Sequence, residues 1–147
     1  SVGNPHWNSN GLEQAAGGKY DLAVSDKLVL GVADNEISYK LLHAVLIQVK
    51  TNIVRASNGK EAIEACLSNP DFDLILMDMQ MPEVDGLEAT RRIKQIRPKL
   101  PIVATTANTY DENYHACKEA GCDGFLTKPL QFRKMFELMQ CLFEQQA

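Results

Sequence analysis

A short apolar run at Leu74–Met77 constrains the fold of this chain more than any other stretch. Pro70 and Pro82 bound the run, and polar residues do not alternate with its apolar ones. Continuous apolar runs of this length are typical of strands covered on both faces of a sheet. The run ends at a carboxylate, Asp78, after which the chain breaks and a helical pattern follows. We therefore expect Asp78 at the end of a buried strand, where open α/β sheets form their functional crevice.

The alternation of a short strand with a helix recurs five times along the chain. The predicted strands are Lys27–Val32, Asn52–Ala56, Leu74–Asp78, Ile102–Thr105 and Gly124–Thr127. The predicted helices are Ile37–Gln48, Gly59–Ser68, Leu87–Ile96, Asp111–Ala120 and Phe132–Glu144. Buried strands joined by helices form a parallel sheet covered on both faces, a three-layer sandwich. Right-handed crossovers then favour a doubly wound, flavodoxin-like α/β fold with strand order 2-1-3-4-5.

Local signals refine two of the helices and the end of a third. Asp34 or Asn35 is expected to cap the first helix. Gly121 is the expected C′ glycine of the fourth helix. In the second helix, helical spacing predicts a stripe of buried apolar residues. The stripe consists of Ala62, Ile63, Cys66 and Leu67.

The chain's 147 residues are the size of one domain. Residues 1–26 are rich in Gly, Asn and Ser and are predicted to form a linker or tail, which leaves residues 27–147 as the domain. The net charge of -4 argues against a nucleic-acid partner or an anionic membrane surface. No apolar run reaches the length of a membrane span, and no secretory signal is present. We expect a cytoplasmic monomer.

The four cysteines are interpreted as reduced thiols, because the chain is acidic and shows no sign of secretion, and no pair has the C-x-x-C spacing. His115, Cys117 and Cys122 lie close together in the sequence and raise the question of zinc. A structural zinc site needs four ligands, and no fourth candidate lies nearby. The sequence therefore disfavours a zinc site.

Four chemically distinctive residues follow four of the predicted strands. The strand order puts Asp34 next to Asp78 and brings Thr106 and Lys128 toward the same crevice. Two neighbouring carboxylates repel each other unless a cation lies between them, and Mg²⁺ prefers such oxygen ligands. A carboxylate can also be the nucleophile that forms an aspartyl phosphate. The lysine and the hydroxyl could then neutralise and bind the phosphoryl oxygens.

Each of these residues alone has an ordinary structural explanation. Asp34 could be a helix cap, Thr106 a β-former at a strand end, and Lys128 a solvated charge or the ion-pair partner of Asp78. Their joint occurrence at the strand ends of one sheet is better explained by a phosphoryl-transfer site.

Four segments resemble the receiver, or response-regulator, domain of two-component phosphorelays. They read Val-Ala-Asp-Asn-Glu at 32–36, Leu-Met-Asp-Met-Gln-Met-Pro-Glu-Val-Asp-Gly at 76–86, Ala-Thr-Thr-Ala-Asn at 104–108 and Gly-Phe-Leu-Thr-Lys-Pro at 124–129. The resemblance covers about Lys27–Phe143, and the wording is most similar to the C-terminal receiver of hybrid histidine kinases. The resemblance therefore implies that this chain is a fragment of such a kinase, which could be the cytoplasmic part of a membrane-bound sensor kinase. The fragment itself would have no ATP site and would promote its own phosphotransfer.

The resemblance implies a role for each site residue. Asp78 would be the phosphoacceptor, and Lys128 would contact the phosphoryl group. Asp34, Asp78 and the backbone carbonyl of Gln80 would bind Mg²⁺. Thr106 would supply the switch hydroxyl.

The resemblance also implies a conformational switch and a partner. Phe125 would be the switch aromatic, the Gln80 and Asn108 side chains would tune the lifetime of the acyl phosphate, and Pro129 would follow a cis peptide bond. The phosphate donor would be a histidine kinase core or a histidine phosphotransfer protein. That partner would dock near the first helix, around Tyr39 and Leu42.

One departure from the family pattern lies at Ala33, where receivers usually carry a first acidic residue before the one at Asp34. Losing that carboxylate predicts weaker Mg²⁺ binding and less repulsion in the metal-free site. Glu36 is expected in the first turn of the helix rather than in the site. The alternative function is a pseudo-receiver, a module that binds proteins independently of phosphorylation.

Two further classes are disfavoured by missing motifs. A nucleotide or flavin binder would be expected to show G-x-G-x-x-G or a P-loop, and neither is present. A dehalogenase-type phosphatase would need an aspartate where Gln80 stands.

Overall fold

The computed structural model describes residues 24–79, 81, 86–107 and 111–145. The predictions for Gln80 and Asn108 therefore lie outside the described residues. The strands are β1 (Leu28–Val32), β2 (Asn52–Ala56), β3 (Leu74–Asp78), β4 (Ile102–Thr106) and β5 (Gly124–Thr127). The helices are α1 (Glu36–Gln48), α2 (Gly59–Ser68), α3 (Gly86–Ile96), α4 (Asp111–Ala120) and α5 (Phe132–Gln145).

The five strands form one parallel sheet in the order β2-β1-β3-β4-β5. This confirms the predicted doubly wound fold, and no predicted strand or helix boundary is wrong by more than one residue. β1 pairs with β3, so the loops that follow these two strands leave the same edge of the sheet side by side. The topological switch point of the sheet, where the strand order reverses, therefore lies between β1 and β3, and the sequence predicts the site there.

Two apolar cores cover the two faces of the sheet. On one face, alternate strand residues such as Leu74 and Leu76 pack with Leu46 of α1 and Phe136 of α5. On the other face, their neighbours such as Ile75 pack with side chains of α2 and α3. Because strand side chains alternate between faces, β3 is apolar on both, which explains its continuous apolar run.

The packed domain includes residues before β1. Val24 is fully buried, and its carbonyl accepts a hydrogen bond from the Thr51 hydroxyl at 2.7 Å. The predicted tail boundary after Asp26 thus lies close to the first described residues, and the role of the preceding segment stays a prediction.

The predicted inner stripe of α2 is wrong at one position. Ala62 and Cys66 are buried, but 64% of Leu67 is exposed. Leu67 follows Cys66 by one residue, which is about 100° around the helix and turns it away from the sheet. Ile37 and Leu41 of α1 are also apolar and exposed, at 78% and 54%.

The end of α4 brings two cysteines together. Gly121 has a φ of 110°, as expected for a C′ glycine, and its amide donates to the Lys118 carbonyl at 3.0 Å. The Cys122 amide donates to the Cys117 carbonyl at 3.0 Å, which completes a Schellman motif. Burial raises the pKa of Cys122 to about 12, and the neighbouring Cys117 thiol adds to that effect. His115 is exposed, and among the described residues no group of three His, Cys, Asp or Glu side chains could hold a metal ion.

These environments predict the order in which the thiols react with iodoacetamide. Only the thiolate reacts, and at pH 8 a thiol with a pKa near 12 is ionised in about one molecule in 10⁴. We expect exposed Cys141 to be alkylated first and Cys122 at least about 100-fold more slowly. Peptide mass spectrometry of a native time course measures both rates, and equal rates would contradict the buried environment of Cys122.

Candidate functional site

The alternation of β3 turns Asp78 toward the face covered by α1 and α5. Leu74 and Leu76 lie in the core on that face, and Asp78 is the next residue in the same phase. It pairs in register with Thr105 of β4, while Val32 of β1 pairs with Met77. The carboxylate therefore stands at the end of the central strand, between the loop after β1 and the end of β4.

Lys128 brings a cation to this carboxylate from the end of β5. Its Nζ lies 3.2 Å from Oδ2 of Asp78, and its backbone amide donates to the Thr106 carbonyl at 2.7 Å. Two-thirds of the Lys128 side chain and nearly all of Asp78 are covered, so water screens this ion pair less than a surface pair. The Lys128–Pro129 peptide bond is cis, as the resemblance implied.

A cavity of about 290 Å³ opens beside the ion pair. Its polar lining residues are Ser38, Asp78, Thr105 and Lys128, and only 5% of Asp78 is exposed to solvent. The rest of the lining is mainly apolar and includes Ala33, Leu41, Leu42, Leu76, Leu130 and Phe132. Ala33 thus contributes a methyl group to the cavity lining, at a position where an acidic residue would have added a negative charge.

Asp34 lies in the exposed loop that joins β1 to α1, directly after Ala33. It does not cap α1, because the side chain of Asn35 accepts from the amides of Ile37 and Ser38 at 2.8 and 3.2 Å. Glu36 lies in the first turn of α1, as predicted, and pairs with Lys40 at 3.4 Å on the surface. Glu36 therefore does not replace the missing acid at Ala33.

The two threonines that end β4 occupy different places. Thr106, the predicted switch residue, is buried and is the last residue of the strand. Thr105 is the one that lines the cavity, and the sequence reasoning missed it. Strand alternation counted from Val103, which packs on the α1/α5 face, would have identified it.

Phe125, the predicted switch aromatic, lies half-buried in β5. Its ring meets that of Tyr114 in α4 edge-on, with centroids 5.5 Å apart. Phe125 is therefore at the boundary between β5 and α4, while the coupling of its rotamer to Thr106 stays a prediction.

The donor set of the described residues suits a hard divalent cation. Asp34 and Asp78 are both carboxylates at the same edge of the sheet, and oxygen-only sites favour Mg²⁺ over softer metals. Binding of Mg²⁺ through these residues stays a proposal.

Comparison with known proteins decides the family. The model of the response regulator receiver domain matches residues 29–140. The chain belongs to this family. This receiver is similar to parts of longer histidine kinases. Probable histidine kinase 4 of Oryza sativa subsp. japonica is 30% identical over 78% of this chain and 14% of the kinase. Sensor histidine kinase RcsC of Escherichia coli K12 is 36% identical over 75% of this chain and 12% of the kinase.

Solved receivers share the fold. The receiver domain of a sensor histidine kinase from Pseudomonas aeruginosa PAO1, with a magnesium ion coordinated in its active site cleft, is 27% identical with a TM-score of 0.75. The alignment covers 82% of this chain and 99% of that one. The Saccharomyces cerevisiae Ssk1 receiver, crystallised with the histidine phosphotransfer protein Ypd1, has a TM-score of 0.78 at 27% identity, covering 84% and 93%.

Membership fixes the coarse function: the receiver is a component of a two-component phosphorelay. It spans less than a sixth of the length of the kinases it matches. Within the described residues, no helix is long and apolar enough to cross a bilayer.

Proposed function

We propose that this receiver accepts a phosphoryl group from a phosphohistidine onto Asp78, in a reaction that depends on Mg²⁺, and then relays or stores it. The observation that carries the proposal is the 3.2 Å ion pair between Asp78 and Lys128 on the wall of a cavity. A purely structural ion pair would not need a cavity at the end of the central strand.

The reaction assigns each group a part. An oxygen of the Asp78 carboxylate attacks phosphorus, the P–N bond of the donor breaks, and the leaving imidazole keeps the electron pair and takes a proton. Lys128 is close enough to Asp78 to contact the transferred phosphoryl group and offset its negative charge. Thr106, at the end of β4, would donate its hydroxyl to a phosphoryl oxygen after transfer.

Asp34, Asp78 and the carbonyl of Gln80 are the residues that would hold Mg²⁺. The ion would neutralise charge on the phosphoryl oxygens during transfer. The related Pseudomonas receiver with magnesium in its cleft supports this part of the proposal.

Incubation with acetyl phosphate tests the proposal without a partner protein. We expect a mass increase of one phosphoryl group per chain in the presence of Mg²⁺ and none in excess EDTA. Intact-mass spectrometry at intervals measures incorporation. The absence of any phosphorylated species at high Mg²⁺ would contradict the proposal.

The substitution Ala33→Asp is expected to tighten Mg²⁺ binding by roughly tenfold, because it restores a carboxylate beside the site. It should also lower stability in the absence of metal, since a second negative charge would lie close to Asp78. Calorimetric titration with Mg²⁺ measures the first effect, and urea unfolding in EDTA measures the second. Equal Mg²⁺ affinities would show that the acid lost at this position is immaterial.

The second candidate is the pseudo-receiver, and Ala33 favours it because a methyl group lines the cavity where the family has an acid. The acetyl phosphate experiment separates the two. A pseudo-receiver would remain unphosphorylated and would bind its partners equally well when Asp78 is changed.

The exposed apolar side chains of α1 mark the proposed docking face for a histidine phosphotransfer protein. Leu41 lines the cavity that contains Asp78, and Ile37 lies one turn earlier on the same helix. This face therefore continues into the site, as a phosphate donor requires. The Ssk1 receiver in complex with Ypd1 supports this class of partner, and a kinase core is the other.

The substitution Ile37→Asp is expected to slow phosphotransfer from a phosphorylated Ypd1-type protein by roughly tenfold, the loss expected when a charge replaces one of the few contact residues that contribute most to binding. Phosphorylation by acetyl phosphate should be unchanged, because no docking is involved. Leu67→Asp on α2 is the matched control, since Leu67 is similarly exposed on another helix. Equal losses in both variants would exclude α1 as the docking face.

A further inference from the structure

The guanidinium group of Arg55 reaches from β2 to the loop that carries Asp34. Its Nε and Nη2 atoms both donate to the Ala33 carbonyl at 3.2 Å. Nη2 also donates to the Asp34 carbonyl at 3.2 Å. One side chain therefore fixes the two peptide groups that flank the Asp34 Cα.

The guanidinium is itself held in place. Its carbon lies 5.7 Å from the centre of the Tyr39 ring, a cation–π arrangement. The Tyr39 hydroxyl donates to the Ile53 carbonyl at 3.4 Å, which ties the ring to β2. Burial raises the pKa of Tyr39, and the nearby Arg55 charge partly opposes this shift, so the ring stays a neutral phenol at physiological pH.

The neighbouring residues of the loop are fixed by other means. The Ala33 amide donates to the Ala56 carbonyl at 3.0 Å, and Asn35 caps α1. Asp34 lies between these two anchors, in an exposed segment without helix or strand geometry. Arg55 supplies the contact that restrains the backbone at Asp34 between them.

We propose that Arg55 is a positioning residue that aligns Asp34 for Mg²⁺ binding. The inference rests on the proposed function, which makes Asp34 a metal ligand. Groups that orient a ligand contribute to metal affinity although they never touch the metal. In this receiver the orientation of Asp34 matters more than usual for Mg²⁺ affinity, because Ala33 provides no second carboxylate from the same loop.

The charge of Arg55 allows this role to be separated from simple electrostatics. A cation near a Mg²⁺ site repels the metal, so on charge alone its removal would tighten binding. Loss of alignment has the opposite effect and weakens binding. Arg55→Gln should therefore bind Mg²⁺ more tightly if only the charge matters, and more weakly if the alignment of Asp34 matters.

Calorimetric titration with Mg²⁺ tests the proposal on the unphosphorylated protein. We expect about tenfold weaker binding in Arg55→Gln, the size of effect that orienting residues have on metal sites. Arg55→Lys keeps the charge but loses the planar fork, so it should also bind Mg²⁺ more weakly than the wild type. If only the charge mattered, Arg55→Lys would have the Mg²⁺ affinity of the wild type.

Arg97→Gln is the matched control. Arg97 also donates to loop carbonyls, those of Asn69, Pro70 and Phe72, but it follows α3 at the opposite end of the sheet. The Arg97→Gln substitution should lower the melting temperature in thermal unfolding without changing Mg²⁺ affinity. Arg55 variants with wild-type or tighter Mg²⁺ binding would overturn the proposal, as would an Arg97→Gln loss equal to theirs. A wild-type protein that binds no Mg²⁺ would overturn the proposed function as well.

Discussion

Asp78→Asn is expected to abolish covalent phosphorylation, both from acetyl phosphate and from a phosphohistidine donor. The amide cannot form an acyl phosphate, and it removes the negative charge that attracts Mg²⁺ and faces Lys128. The change is nearly isosteric, so the fold should persist. Intact-mass spectrometry after incubation with acetyl phosphate and Mg²⁺ is the measurement.

Asp73→Asn provides the matched control for that experiment. Asp73 precedes β3 at the other end of the strand, where its Oδ2 accepts from the Leu28 amide at 2.8 Å. The asparagine oxygen can still accept this hydrogen bond, and phosphorylation should remain at the wild-type level. Phosphate retained in Asp78→Asn would show that another residue is the acceptor.

Gly86→Ala is expected to lower the free energy of unfolding by about 1–3 kcal/mol, the usual cost of overpacking. A Cβ at Gly86 would lie 2.6 Å from the Asp78 carbonyl oxygen and 3.0 Å from the Met79 Cα. Both are backbone atoms and cannot move independently of β3. An added Cβ at the first residue of α3 would therefore press on the Asp78 peptide group, and phosphorylation should slow along with the loss of stability.

Gly31→Ala tests whether the effect is specific to that contact. Its Cβ would meet mainly the terminal Cδ1 of Ile53, at 2.9 Å, and that side chain can rotate. Loss of backbone freedom in the unfolded chain partly compensates, so stability should change by less than about 1 kcal/mol. Urea unfolding and acetyl phosphate rates of both variants provide the comparison, and equal losses would refute the argument from backbone contact.

Local sequence signals were sufficient to predict the fold. β2, β3, β5, α2 and α4 have the predicted boundaries, because turn residues and prolines separate short buried strands from amphipathic helices. Strand order followed from the handedness of crossovers. The proximity of Asp78 and Lys128 then followed from the sheet, since both end strands on the same edge.

Contacts that depend on side-chain direction were not predictable in the same way. The contact of Arg55 with the loop that carries Asp34 was not predicted, because the pattern of a strand does not indicate that a long side chain will reach a neighbouring loop. The sequence argument selected Thr106 because it follows the predicted strand Ile102–Thr105, and it did not use the strand phase that places Thr105 on the cavity wall. Ile37 and Leu41 are apolar but exposed, and helical spacing alone does not reveal where the covered stripe of α1 ends.

The ion pair between Asp78 and Lys128 joins the middle of the chain to its last strand. During synthesis on the ribosome, Asp78 emerges well before the lysine that neutralises its charge. A nascent chain, or one cleaved before β5, contains Asp78 without its cation and without the cavity wall formed by Pro129, Leu130 and Phe132. Under the proposed function, phosphorylation of Asp78 is therefore expected only after the whole domain has been synthesised and folded.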